Sequence, residues 1–311
     1  MGTTAQKLQN IANAKSDIAS AITSKGGTVP TKFSGYGNAI RALPGTGTKL
    51  SQTLSKTVTT LTTEDLAGAT VIPNGLFENC SQLTLLEIPS TCTQMGTIDG
   101  CSSLVTLKIP NGVKSNLFSA EGCTALRNLV LPGGTGTNDW AFAKFNTTNE
   151  HIYKNIVSLE VAAGTTELNT YYFKEATSLT TLKLPGSLSG NAAIGNEAFR
   201  GCTALTTVTL GNGITNLFGA CFQDCTALKT ITIPNSVTNL GSYCFQDCSN
   251  LVTVDFGTTR STIPSCTMGS SYGTFYRCNK LANIYVPSNL VSSWRANSDW
   301  SSLASKIKAH P

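Results

Sequence analysis

Residues 216–256 contain one phrase written twice. Asn216–Thr238 reads N-L-F-G-A-C-F-Q-D-C-T-A-L-K-T-I-T-I-P-N-S-V-T, and Asn239–Phe256 reads N-L-G-S-Y-C-F-Q-D-C-S-N-L-V-T-V-D-F. The second copy begins 23 residues after the first. Self-similarity with a period between about 20 and 50 residues is typical of stacked repeats, each too small to bury a core alone.

The shared phrase is F-x-x-C-x-x-L-x-x-h-x-h-P, in which h is an aliphatic or β-branched residue, and it recurs along most of the chain. The steps between successive leucine positions are 21, 22, 30, 23, 26, 23, 23 and 30 residues, so the longer steps carry insertions. These positions are Leu83, Leu104, Leu126, Ile156, Leu179, Leu205, Leu228, Leu251 and Leu281.

The segment after each leucine predicts a short strand. Ile231 and Ile233 alternate with Thr230 and Thr232, which places the isoleucines inside and the threonines outside. Stacked copies would share one continuous core and contribute one short parallel strand each. We therefore predict an α/β solenoid, a leucine-rich repeat of about nine repeats of ~23 residues.

The recurring phrase resembles the BspA-like, treponemal-type leucine-rich repeat over roughly residues 70–287. The resemblance implies that the small residue and the leucine of each copy form the core. Tyr153 and Ala176 replace the cysteine in two copies. The predicted core residues are Cys80, Cys101, Cys123, Cys202, Cys225, Cys248, Cys278, Leu205, Leu228 and Leu251.

Eleven cysteines raise the possibility of disulfides or a metal site. Seven occupy the repeat position, while Cys221 and Cys244 stand where another copy has Ala198. Their spacing is C-x-x-x-C rather than C-x-x-C, and no histidine is nearby. Because free cysteine is among the most buried residue types, we expect reduced core thiols, with disulfides between repeats and a metal as alternatives.

Residues 1–43 predict a small helical module for attachment or oligomerisation. Its apolar side chains recur at helical spacing, and a module of this size cannot bury much core alone. It must pack on the solenoid, on its own copies or on another protein. The predicted interface consists of Leu8, Ile11, Ile18, Ile22, Phe33, Tyr36 and Ile40.

The remaining boundaries follow from composition. Residues 44–69 are expected to form a linker and an N-terminal cap, residues 70–287 the solenoid, and residues 288–311 a helical C-terminal cap. In that cap Trp294 and Trp300 would cover the last repeat. A covered end avoids the aggregation that an open strand edge invites.

Two surfaces are candidates for ligand contact. Insertions in solenoids commonly form loops on the binding face, although their aromatic residues can equally pack on a neighbouring repeat. The other surface is the outer row of strand residues, where Glu87 beside Lys108 and Glu160 beside Lys183 would form ion pairs. The candidate loop residues in 133–152 and 258–274 are Trp140, Phe142, Phe145, Arg260 and Tyr272.

Several functional classes find no support in the sequence. Only two histidines are present, and the chain has no G-x-S-x-G, H-E-x-x-H, Walker or dinucleotide motif, so we expect no enzyme and no cofactor. The net charge of +5 is dispersed, which argues against a nucleic-acid partner. No stretch approaches the roughly 18 consecutive apolar residues of a membrane span.

The N-terminal segment L-Q-N-I-A-N-A-K-S-D-I-A-S-A-I-T-S-K-G, followed by F-S-G-Y-G-N-A-I-R-A-L, resembles a module of bacteriophage tail and other virion proteins. The resemblance implies a non-enzymatic virion structural protein of the tail, fibre or decoration type, located on the particle. Its module would bind other virion proteins or form a homo-oligomer, and its solenoid would bind a host surface protein or glycan. The absence of a signal peptide agrees with this expectation.

The alternative is a bacterial cell-surface adhesin, which is the usual role of BspA-like repeats. This interpretation would require a secretion signal and an anchoring segment, and neither is recognisable in the sequence.

Overall fold

The computed structural model describes residues 56–72, 75–113, 119–131, 153–162, 173–184, 192–266 and 273–311. The chain divides into two compact units, and the boundary lies between Leu126 and Arg127. The predicted attachment module and most of the candidate loop residues lie outside the described residues. These are Leu8, Ile11, Ile18, Ile22, Phe33, Tyr36, Ile40, Trp140, Phe142, Phe145 and Tyr272.

The first unit contains two small parallel sheets. In its main sheet β1 (Thr60–Leu61) pairs with β3 (Leu85–Glu87), and β3 pairs with β5 (Thr106–Lys108). In its second sheet β2 (Val71–Ile72) pairs with β4 (Gln94–Met95). Strand β1 lies inside the segment predicted as linker and cap.

The main strands of the second unit form two parallel ladders. Neighbouring strands are in register, so that equivalent positions of successive repeats lie side by side. One ladder consists of β6 (Asn128–Leu131), β7 (Ser158–Val161), β8 (Thr181–Lys183) and β10 (Thr207–Thr209). The other consists of β12 (Thr230–Thr232), β14 (Thr253–Asp255), β16 (Asn283–Val286) and β17 (Ile307–Ala309).

A second parallel sheet in this unit was not predicted. The prediction of one strand per repeat is therefore incomplete, because several repeats contribute two. Each extra strand has only two to four residues, too few for an alternating pattern to stand out in the sequence. The strands are β9 (Ala192–Ile194), β11 (Ile214–Leu217), β13 (Asn239–Leu240) and β15 (Ser265–Cys266).

The core is built from the repeat positions that the sequence singles out. All nine leucine-position side chains are at most 3% exposed. Ile231 and Ile233 are buried while Thr230 and Thr232 are exposed, which confirms the predicted alternation in this strand. The seven cysteines of the repeat position are all buried, with Cys278 the most exposed at 7%.

Six of the cysteines at the repeat position are core thiols that also donate to a backbone carbonyl. The Cys225 thiol donates to the carbonyl oxygen of Phe199, in the preceding repeat, and the Cys248 thiol donates to that of Phe222. Equivalent bonds of 3.0 to 3.4 Å recur in six repeats. A small side chain with a weak donor therefore suits this position, because it fills the core and pairs a buried acceptor.

The phenylalanines of four repeats stack in a column. Ring centroids of Phe199, Phe222, Phe245 and Phe275 are 5.5 to 5.6 Å apart, with interplanar angles of 5 to 12°. The column reaches Trp300 of the C-terminal cap, 6.1 Å from the last ring. Equivalent side chains stack because successive repeats superpose by translation along the solenoid.

Each described repeat turns sharply just before its cysteine position. The preceding residue has a left-handed backbone, with φ of 57 to 62° where it is not glycine, as at Asn79 and Asp224. Its N–H donates to a carbonyl of the next repeat, for example Gly100 to Glu121 at 2.7 Å. A Cβ on Gly100 would lie 2.2 Å from Asn79 Oδ1, so a larger residue there would have to displace the Asn79 side chain, and glycine is favoured.

The C-terminal cap is only partly helical. Helix α1 (Val291–Ala296) lies between two 3-10 segments, Ser288–Leu290 and Ser301–Lys306. The chain then forms β17 and pairs with β16, although a helix was predicted through residue 307. A strand forms here because it buries the Ile307 side chain and also covers the open edge of β16.

Candidate binding faces of the two sheets

In each unit the outward side chains of the main strands form a row, and these residues are here called the outer row. Their side chains point away from the core, because they alternate along each strand with inward-facing residues that are mostly buried. The first unit contributes Glu87 and Lys108. In the second unit the outer row consists of Val130, Glu160, Lys183, Thr209, Thr232, Asp255, Tyr285 and Lys308.

Both ion pairs predicted for this row are present. Lys108 Nζ lies 2.6 Å from Glu87 Oε1, and Lys183 Nζ lies 2.8 Å from Glu160 Oε1. In each case the two residues are paired in register on adjacent parallel strands. The Lys183 and Glu160 side chains are 57% and 42% exposed, so the pair remains in contact with solvent and stabilises the fold only slightly.

The outer row ends in a cluster that the sequence did not predict. Because β17 pairs with β16, Lys308 stands next to Tyr285, and His310 reaches Asp255 with a nitrogen–oxygen distance of 3.2 Å. The His310 and Tyr285 ring centroids are 6.0 Å apart. The final strand thus adds polar groups to a face that the repeat pattern alone would end at Tyr285.

Threonines dominate the outward side chains of β10 and β12. Thr207, Thr209, Thr230 and Thr232 are all exposed. Threonine is favoured in strands whatever the ligand, so its presence alone does not identify a site. The physical result is a neutral patch of hydroxyl and methyl groups beside the charged pair of Glu160 and Lys183.

A second set of charges lies on the turns rather than on the sheet. Lys174 Nζ and Arg200 Nη1 approach Glu197 Oε2 at 2.7 and 2.8 Å, and Arg200 Nε is 3.7 Å from Asp224 Oδ2. Burial opposes ionisation of Glu197, but its two cationic partners outweigh this effect and lower its pKa. These pairs link successive repeats along one edge.

Arg260 is a structural residue, and its prediction as a ligand contact is wrong. Its side chain is 3% exposed and donates to the carbonyl oxygens of Val237 and Pro234. The guanidinium carbon lies 5.2 Å from the Phe256 ring centroid. Burial lowers the pKa of Arg260 to about 10. Because its carbonyl partners belong to the preceding repeat, the side chain connects two repeats. Its burial makes it inaccessible to a ligand.

The core thiols are poorly suited to nucleophilic or redox chemistry. Burial raises the pKa of Cys202, Cys266 and Cys278 to about 12, which suppresses the reactive thiolate at neutral pH. Among the described residues, no group of three or more His, Cys, Asp or Glu side chains is placed to hold a metal ion. The thiols act as packing and hydrogen-bonding groups.

The family model described as BspA type leucine rich repeat region, in six copies, matches residues 55–163 and 166–293. This is more than half of the chain. The chain belongs to this family. Its BspA type repeats account for the parallel strands, the buried leucines and the cysteine position described above.

Solved structures of several bacterial leucine-rich repeat proteins are similar to this chain. A leucine-rich repeat protein of T. pallidum is 28% identical over 43% of this chain and 60% of its own, with a TM-score of 0.36. A leucine rich cell surface protein of Faecalibacterium prausnitzii is 20% identical over 82% of this chain and 65% of its own, with a TM-score of 0.39. This chain therefore spans less than two thirds of either protein's length. No curated protein matches it.

The outward residues of the second sheet were not predicted from the sequence. In these BspA type repeats Phe218 follows β11 and is 41% exposed, while Asn216 and Asn239 are paired in register on β11 and β13. One sequence signal was available, because Gly195 and Gly241 hold the position of Phe218 in the adjacent repeats.

Within the described ranges, no helix combines the length and the apolar character needed to span a membrane.

Proposed function

We propose that this chain is a non-enzymatic binding protein that uses the outer row of its main strands to bind a protein or glycan on another surface. The observation that carries the proposal is the outer row itself, which presents charged pairs and hydroxyls from successive repeats. The backbone of such a face is ordered by the sheet before it binds, so little backbone entropy is lost on association. Extended faces of this kind are the usual binding surfaces of solenoid proteins.

Two substitutions test the outer row without touching the core. Thr209→Glu and Thr232→Glu together add two charges to the neutral patch and should reduce binding of the labelled chain to its target cells at least tenfold. Ser302→Glu, at an exposed site in the cap, is the control and should leave binding unchanged. If the double variant binds as well as the wild type, the outer row is not the binding face.

We propose further that the protein acts on a bacteriophage particle, attached through residues 1–43. This part of the proposal is supported by the resemblance of the N-terminal segment to modules of tail and virion proteins. The module would bind other virion proteins or its own copies through its apolar stripe, and the solenoid would contact the host surface.

Deletion of residues 1–43 tests the attachment. The truncated chain should keep its strand content by circular dichroism and lose incorporation into particles, or lose self-association if the module is an oligomer interface. If the truncated chain unfolds, the segment is a cap of the solenoid. If it folds and enters particles at the wild-type level, attachment lies elsewhere.

A second candidate is a bacterial cell-surface adhesin. The observation that favours it is membership of the BspA type family, whose repeats commonly serve this role. Immunogold labelling separates the two candidates. Label on purified phage particles supports the virion function, whereas label on intact bacteria that carry no phage supports the adhesin.

A further inference from the structure

Phe218 is a large apolar side chain in an unusual place. It follows β11 on the second sheet and is 41% exposed. Leu217 is fully buried, so the side chains on either side of it, Asn216 and Phe218, point outward together. The phenylalanine is therefore held on the outside of the sheet rather than in the core.

The neighbouring repeats leave the flanks of this ring open. Gly195 and Gly241 occupy the position of Phe218 in the preceding and following copies. A Cβ on Gly241 would lie 2.8 Å from Gly219 N and 2.9 Å from Phe218 C, so the close approach of the two backbones requires glycine there. With no side chain at the equivalent position of either adjacent repeat, the Phe218 side chain remains 41% exposed.

A row of amides and hydroxyls lies beside the ring. Asn216, Asn239 and Ser265 are paired in register on β11, β13 and β15. Asn216 Nδ2 donates to Thr215 Oγ1 at 2.9 Å, and Ser265 Oγ donates to Asn239 Oδ1 at 2.8 Å. These bonds orient both side-chain amides. They leave the Asn216 side-chain oxygen, Oδ1, and the Asn239 side-chain nitrogen, Nδ2, for a ligand.

We propose that Phe218, Asn216 and Asn239 form a binding site for a neutral glycan. The exposed ring packs against the apolar C–H face of a pyranose. The two amides, on strands about 4.8 Å apart, supply an acceptor and a donor to its hydroxyl groups. The site deepens the proposed function and rests on it, because it names the chemistry of one target.

The charge of the site decides between a neutral and an anionic ligand. The polar side chains beside Phe218, namely Thr215, Asn216, Thr238, Asn239 and Ser265, carry no formal charge. The outer row of the main strands instead carries Glu160 and Lys183 as an ion pair. A hydroxyl-rich neutral ligand complements the second sheet, since a charged ligand would find no opposite charge among these groups.

An array of immobilised oligosaccharides tests the site with the full chain. The array carries neutral oligomers of glucose, galactose and N-acetylglucosamine together with sialylated and sulfated counterparts. We expect binding to at least one neutral oligomer, a tenfold or greater loss with Phe218→Ala, and retention with Phe218→Trp. Tyr276→Ala is the matched control, because Tyr276 is an aromatic of similar exposure, 38%, elsewhere in the unit.

Three results on the array would overturn the proposal. These are no binding to a neutral oligomer, binding only to anionic ones, or equal binding by wild type and Phe218→Ala. Loss by Phe218→Ala of binding to a carbohydrate-free protein would instead identify a protein contact and also overturn it. The general binding function is judged separately, by the effect of Thr209→Glu and Thr232→Glu on attachment to cells.

Discussion

Two stretches of the second unit solve the same packing problem differently. From Phe199 to Leu281 the phenylalanine and cysteine positions are filled in every copy, and the rings stack nearly parallel. Between Tyr153 and Leu184 the cysteine is replaced by Tyr153 and Ala176, and Tyr153 meets Phe173 edge-on at 6.4 Å and 83°. We refer to these as the regular and irregular stretches.

Their difference separates what a repeat requires from what it tolerates. Ile156 and Leu179 are as fully buried in the irregular stretch as Leu228 and Leu251 in the regular one. The leucine position and the strand therefore define the core, and the aromatic column and thiols refine it. The outer row varies independently, with an ion pair in the irregular stretch and threonines in the regular one.

Loss of a leucine should have the largest effect, and it should be similar in both stretches. Leu228→Ala and Leu179→Ala each remove a fully buried side chain and should each destabilise the fold by about 2–5 kcal/mol. Urea unfolding measures the change, and Thr230→Ala, on the exposed face, should cost about 0.5 kcal/mol or less. A much smaller loss at Leu179 would mean that the irregular stretch is poorly packed.

Replacing a core thiol should alter the response to alkaline pH. Because burial raises the pKa of Cys202 from 9.0 to about 12, the unfolded chain loses its proton first, and stability falls as the pH rises through this window. The slope is about 1.4 kcal/mol per pH unit for each such thiol.

Cys202→Ala gives the regular stretch the side chain that Ala176 has in the irregular one. Between pH 9 and 11 its unfolding free energy should decline less steeply than that of the wild type, as measured by urea unfolding at each pH. Ser302→Ala, on the surface of the cap, is the control. Identical slopes for Cys202→Ala and the wild type would contradict a raised thiol pKa.

Because of the aromatic column, the stability of the fold should be more sensitive to replacement of Phe222 than to replacement of Phe173. Phe222→Leu removes a ring stacked on both sides, whereas Phe173→Leu removes one that meets Tyr153 edge-on. Since an aromatic pair contributes about 0.5–1.5 kcal/mol beyond burial, Phe222→Leu should cost more by about that amount. Equal costs would show that the stacking is a consequence of repetition rather than a source of stability.

The smallest effect should come from the outer row of the irregular stretch. A double-mutant cycle with Glu160→Gln and Lys183→Met should give a coupling of about 0.5 kcal/mol or less, because both side chains are well exposed. The coupling should decrease further at high salt. A coupling above about 1 kcal/mol would indicate a pair more shielded from solvent than this geometry allows.

Much of the core could be predicted because the same pattern of residues recurs in successive copies of the repeat. The leucine positions recur nine times, so one copy with a weak pattern, such as that of Ile156, is interpreted from its neighbours. The pairs Glu87–Lys108 and Glu160–Lys183 followed from register alone, since equivalent positions of stacked parallel strands lie side by side.

Other features escaped prediction because they occur once. Arg260 lies in an insertion with no equivalent in other copies, so nothing in the sequence showed that its guanidinium would reach the carbonyls of Pro234 and Val237. Phe218 stands where the two adjacent copies have glycine, and that departure identifies it only after the second sheet is known.

The sequence by itself determined the repeat, its period, the inward and outward positions of the main strands and the residues that fill the core. Each of these follows from local periodicity, because the spacing of apolar residues along the chain shows both the repeat length and which side of a strand faces the core. Only the tertiary structure decided the second sheet, the burial of Arg260 and the strand Ile307–Ala309. These depend on which edges and carbonyls remain unsatisfied after the repeats have stacked, and that is a property of the assembled fold rather than of any segment.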